Sequence, residues 1–260
     1  MTMLERLKPF RYVALAVFAL LVAALFLATE ETQGRPEPKA ALEPQQAASQ
    51  PTTPPTTPAT GNFRPEPKIG PARLLYKVET PDPVVFLTID DGAHRDPAMA
   101  DILKRNGIKA TFFLTDRYTR QDPEFFRKLR DDTGSAIENH TATHPNLKGK
   151  SLEQQTAEIV PVSDTYEKQF GKRPTLFRAP YGNSDDATLQ AAGEAGAKYV
   201  VNWGSEVRDG QIKFSGPREF RPGSIVLMHF TANFEADVNA FVTQARANGL
   251  TPALLTDYLR

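Results

Sequence analysis

His140 and His144 stand four positions apart in the stretch ENHTATHP and make up half of the chain's four histidines. Pro145 disfavours a helical conformation at His144, so the pair belongs on a tight turn. HxxxH spacing alone also suits ordinary packing. Two imidazoles joined by one carboxylate, however, form a ligand set for a catalytic zinc that keeps a position open for water. TIDDG, residues 88–92, offers Asp90 and Asp91. Adjacent side chains diverge, so one can ligate while the other acts as a base; a solvated Asp-Asp-Gly turn is the plain alternative. FRAPYG, residues 177–182, sets Arg178 among apolar neighbours, where a guanidinium needs a carboxylate partner. VLMHF, residues 226–230, buries His229 in an apolar strand, where a packed core histidine is more ordinary than a catalyst. His94 has no evident partner and reads as a surface residue.

Elements must position these groups, and hydrophobic period supplies them. VVFLTI (84–89) reads as a buried strand, PAMADILKRNG as a helix ended by Gly107, and ATFFLT (110–115) as a strand. DPEFFRKLRDD is helical and SAIENH strand-like. SLEQQTAEIVPVSDTYEKQFG is a long helix with a Ser151/Gln154 capping box and an expected kink at Pro161. TLFRAP, ATLQAAGEAGA, YVVNW, SIVLMHF and DVNAFVTQARANG continue the alternation. The pattern predicts an α/β fold with a mainly parallel sheet, open or closed into a barrel. DDG, ENH, FRAP and LMH all end strands, and such folds gather their functional groups at the carboxyl ends. One shared site is the expectation.

The remaining composition bounds the rest. Among 260 residues, 31 basic side chains balance 31 acidic ones, which gives no reason to expect a nucleic-acid partner. Cysteine is absent, so any metal must sit on His, Asp or Glu. Arg6, Lys8 and Arg11 precede an uncharged apolar run from Tyr12 to Ala28, close to the ~20 residues that span a bilayer. No small-x-small cleavage site ends the run, which favours a single-pass anchor over a cleaved signal peptide. The basic flank would keep the N-terminus in the cytoplasm and the rest outside the cell membrane. Ten of the 22 prolines lie between Glu30 and Pro71, where RPEPK occurs twice; this is spacer chemistry. Three segments are expected: anchor 1–29, disordered Pro/Thr-rich linker 30–71, and folded domain 72–260.

The order LTIDDG, NHTATHPNL, FRAPYG, IVLMHF closely resembles the polysaccharide deacetylases, the NodB-like carbohydrate esterase family 4, over about residues 80–257. The resemblance implies an irregular (β/α) barrel, usually of seven strands, and metal-dependent removal of acetyl groups from sugars. It makes Asp90 the general base, and Asp91, His140 and His144 the ligands of a divalent metal, zinc or alternatively cobalt. Arg178 would hold Asp90, Tyr181 would lend its backbone N–H to the oxyanion, and His229 would be the general acid. Tyr181, Trp203 and Leu227 are implied substrate contacts.

One motif departs. Where the family commonly has Trp-x-x-Asp-x-x-Asp-Trp, this chain reads WGSEVRDG, residues 203–210. Glu206 stands at the Asp that tunes the catalytic histidine, with Asp209 as its competitor, and Gly210 replaces a groove-lining Trp. The expected substrate is an acetylated cell-surface polysaccharide, foremost the amino sugars of peptidoglycan. Chitin oligomers and acetylxylan are the runners-up. A catalytically silent carbohydrate-binding domain and an anchored structural protein are the rival classes.

Overall fold

A computed structural model of the chain describes residues 70–259. The expected anchor, and the linker up to residue 69, lie outside the described residues. Among the described residues, no helix is long and apolar enough to cross a membrane.

Strand and helix alternate as the hydrophobic period requires. The first half comprises β1 (Arg73–Leu75), β2 (Val84–Asp91), α1 (Ala98–Arg105), β3 (Thr111–Leu114), α2 (Asp116–Thr119), α3 (Pro123–Thr133) and β4 (Ala136–Asn139). There follow α4 (Leu152–Phe170), β5 (Leu176–Phe177), α5 (Asp186–Glu194) and β6 (Tyr199–Val201). The last part holds β7 (Ser205–Arg208), β8 (Gln211–Phe214), β9 (Ser224–His229), α6 (Phe234–Ala247), β10 (Thr251–Pro252) and α7 (Leu255–Tyr258).

All ten strands form one sheet, ordered β1-β6-β5-β4-β3-β2-β9-β7-β8, with β10 also paired to β2. Every strand-to-strand ladder among the described residues is parallel except the β7–β8 hairpin. The α/β expectation holds, but the count of seven strands does not. Asp209 and Gly210, with φ of 53° and 69°, make the two-residue turn whose twist suits a hairpin, and so add β8. β1 and β10 are too short to leave a period. No strand ladder joins β1 to β8 among the described residues. The sheet nevertheless curls until the segment after β1 meets the start of β9, through a bridge between Lys77 and Ser224. There the Val78 N–H donates to the Gly223 carbonyl at 2.9 Å. Gly223 has φ +84°, and a Cβ on it would fall 1.8 Å from the Val78 carbonyl oxygen, so the approach requires glycine.

β2 is buried on both faces, which is why it reads as a continuous apolar run. Val85, Leu87 and Ile89 pack with Phe112, Leu114 and the helix residues Leu103 and Phe241. Val84 and Phe86 face the other way, with Phe113, Leu176, Val201 and Ile225. Burying a side chain such as Phe86 contributes about 2 kcal/mol. The same alternation puts Thr88 and Asp90 on this inner face of the sheet, two polar groups at the end of an apolar row.

Candidate active site

Asp90 ends that row almost fully buried, at 2% exposure. A lone carboxylate there would be costly. Arg178, itself wholly buried, compensates it: Nη1 donates to Asp90 Oδ1 at 2.7 Å and to Thr88 Oγ1 at 2.8 Å. The Arg178 Nε–H is taken by the Val201 carbonyl at 2.9 Å, and the guanidinium lies 4.2 Å from the Phe113 ring centroid. Burial pushes the Asp90 carboxyl above its ordinary range, while the Arg178 charge pulls the other way. Asp91 turns out of the strand with φ 80°, so the two neighbouring carboxylates do face different surroundings.

The histidine loop follows β4 as a turn. Asn139 organises it: its Oδ1 accepts from the Thr141 N–H at 2.9 Å, and its Nδ2 donates to the Ile159 carbonyl at 2.8 Å. The Ala142 N–H donates to the Glu158 carbonyl at 2.9 Å. Both acceptors lie on the turn of the helix just before Pro161. α4 runs as one element through Pro161, with its capping box made, and the turn before the proline docks the loop. Thr141 Oγ1 accepts the His144 N–H at 3.0 Å. Four of the five non-glycine residues with positive φ, Asp91, Thr141, His144 and Tyr181, gather here among the described residues. Such backbone costs about 1–3 kcal/mol each and persists where surroundings enforce it.

One ligand atom each from Asp91, His140 and His144 lies within 4.8 Å of the others. Asp91 Oδ1 is 3.6 Å from His140 Nε2 and 3.4 Å from His144 Nε2, and this buried oxygen has no hydrogen-bond partner. His140 Nδ1 lies 2.7 Å from the Arg178 carbonyl; a carbonyl only accepts, so Nδ1 carries the proton and Nε2 presents its lone pair. Burial holds the His140 imidazole below its ordinary pKa, the neutral form that ligation needs. The donor set therefore fits a divalent ion.

The opposite wall comes from β7 and β9, paired so that Glu206 lies across from Leu227. His229 Nδ1 is buried without a hydrogen-bond partner and stands 3.8 Å from Glu206 Oε1. Asp209 is engaged elsewhere, its Oδ1 accepting from Asn233 Nδ2 at 2.7 Å. A cleft of about 450 Å³ brings together Asp90, Asp91, His140 and His144. Tyr181, Trp203, Glu206, Leu227 and His229 complete its predicted lining. Arg178 lies outside that lining. Tyr181 is 64% exposed, with its ring centroid 4.9 Å from that of His144. His94 is exposed, as expected. Sequence reasoning missed Arg208, which also lines the cleft; its signal was the two-residue spacing from Glu206, which puts both on one strand face.

Comparison with known proteins bears on the family. The family model described as Polysaccharide deacetylase matches residues 77–200. A chitooligosaccharide deacetylase from Azorhizobium caulinodans is 33% identical over 56% of this chain and 72% of its own length. The peptidoglycan-N-acetylmuramic acid deacetylase PdaA from Bacillus subtilis is 26% identical over 71% of this chain and 74% of its own. Among solved structures, a CE4 family pseudoenzyme from Bacillus anthracis matches with a TM-score of 0.62 at 26% identity, covering 74% of this chain and 70% of that one. A mutant of that pseudoenzyme with restored enzymatic activity matches equally well, at TM-score 0.62 and 27% identity. The match to the family model spans the stretch that supplies all three ligand candidates and both partners of the buried ion pair: this chain belongs to the polysaccharide deacetylase family.

Proposed function

We propose that this protein is a metal-dependent hydrolase that removes N-acetyl groups from a cell-surface polysaccharide, foremost peptidoglycan amino sugars, and releases acetate. The observation that carries the reading is the juxtaposition of a buried, arginine-paired Asp90 with the Asp91, His140 and His144 donor set in one cleft. Asp91, His140 and His144 would hold a divalent ion, zinc with cobalt as the alternative, which when bound would supply the Lewis acidity that lowers the pKa of water to ~7. Asp90 takes the proton from the attacking water, and Arg178 keeps its carboxylate aimed. The Tyr181 backbone N–H faces the developing oxyanion, a role supported by its left-handed turn beside His144. An amine cannot leave as an anion, so His229 protonates it, a step worth ~10²–10⁴-fold. Glu206 holds the protonated imidazole, and Trp203, Leu227 and the Tyr181 ring contact the sugar.

Named relatives act on chitooligosaccharides and on peptidoglycan sugars, which supports the substrate class. The pseudoenzyme relative supports a rival reading, a silent glycan binder; the intact base and donor set of this chain favour activity. We further propose a single-pass anchor with the domain outside the cell, supported by the basic flank and apolar run at residues 6–28. Acetate release from a panel of peptidoglycan, chitooligosaccharides and acetylxylan tests the function. Release from peptidoglycan is expected first; binding without release from any of them would establish the silent reading instead.

A further inference from the structure

Glu138 is a buried carboxylate for which the proposed reaction has no use. It is 1% exposed and lies two residues before His140 on the inner face of β4. Its Oε2 accepts two backbone N–H groups, from Thr175 at 2.8 Å and from Leu176 at 2.7 Å, while Oε1 has no partner. A parallel ladder ordinarily gives such N–H groups a strand carbonyl. β4 and β5 share only one residue pair, Asn139 with Phe177, and the Glu138 side chain takes the place of the missing acceptor.

What β5 delivers makes this matter. One residue past its end, the Arg178 N–H donates to the Asn139 carbonyl at 3.0 Å. The Arg178 guanidinium holds Asp90, and its carbonyl holds His140, each at 2.7 Å. A two-residue strand thus sets the base and a ligand candidate together. We propose that Glu138 is a positioning residue: its acceptor oxygen fixes the start of β5 against β4 and thereby sets Arg178 against Asp90. For its kinetic arm the proposal rests on the deacetylase reading above. Both bonds go to one oxygen, so the geometry calls for an acceptor and not for a charge. Glutamine supplies that acceptor, alanine leaves two buried N–H groups unpaired, and aspartate falls one methylene short.

Trp203 provides a reading independent of activity. It is the only tryptophan in the chain, and the Arg178 guanidinium lies 5.3 Å from its ring centroid, so its emission reports where Arg178 sits. The experiment compares the full chain with Glu138→Gln and Glu138→Ala, by acetate-release kinetics and tryptophan emission, at a temperature where circular dichroism shows each folded. Glu138→Gln should keep kcat within about threefold and leave the emission unchanged. Glu138→Ala should lower kcat by roughly tenfold to a hundredfold, move KM little, and shift the emission, as expected for a misplacement below 1 Å. Should Glu138→Ala not fold, Glu138→Asp carries the same expectation. A folded Ala or Asp variant with wild-type kcat and emission overturns the proposal, and so does a Gln variant that falls as far as Ala. If the wild type releases no acetate from any glycan, the deacetylase reading fails, while the emission comparison still decides the positioning role.

Discussion

Asp90 and Asp91 are chemically identical neighbours in different surroundings, and the proposed reaction gives them different work. Asp90 is buried against Arg178, whereas Asp91 turns toward two imidazoles. Asp90→Asn should therefore retain bound metal, measured by elemental analysis, while activity falls by about 10²–10⁴-fold. Asp91→Asn should lose the metal; the opposite pattern would mean the roles are reversed. The departure at Glu206 belongs to this scale too: its carboxylate stands 3.8 Å from His229 Nδ1, while Asp209 bonds Asn233. Glu206→Gln should therefore slow acetate release more than Asp209→Asn does, with bound metal unchanged in both. The reverse order would contradict this pairing. These residues were legible because their types are rare and their spacing is local. Arg208 was not, because an exposed arginine on a short strand looks like any solvated charge.

At the scale of elements, burial in β4 outweighs the Leu176 and Thr175 N–H bonds and the Lys172 charge that act on Glu138. It pushes the Glu138 carboxyl up from 4.5 to about 7, so the folded state favours the neutral form. The stability this adds is complete below about pH 4.5 and is lost as pH rises through 7; at most it is on the order of 3 kcal/mol. The wild-type Tm should consequently fall between pH 5 and pH 8 by more than that of Glu138→Gln. Equal pH dependence in the two proteins would show that Glu138 does not titrate in this way. The long buried strands and α4 with its capping box could be read from the sequence, since period and caps are local signals. Glu138 could not be singled out, because its partners Thr175 and Leu176 lie 37 and 38 positions away. The β7–β8 hairpin was hidden differently: Asp209-Gly210 is ordinary turn chemistry, and reading it as part of a site motif masked it.

For the whole molecule, a curled parallel sheet collects strand ends from distant parts of the chain into one cleft, and the sequence foretold that convergence better than it foretold the strand count. The anchor expectation belongs to this scale too. Full-length protein should fractionate with membranes, with its folded domain open to external protease; a soluble secreted form lacking roughly the first thirty residues would show the run to be a signal peptide. The proposed chemistry depends above all on the metal site. The most direct measurement is acetate release from an acetylated glycan by the full chain before chelation, after it, and after metal is returned. Release should drop to background on chelation and recover with zinc or cobalt, whereas a metal-free preparation working at full rate would contradict the account.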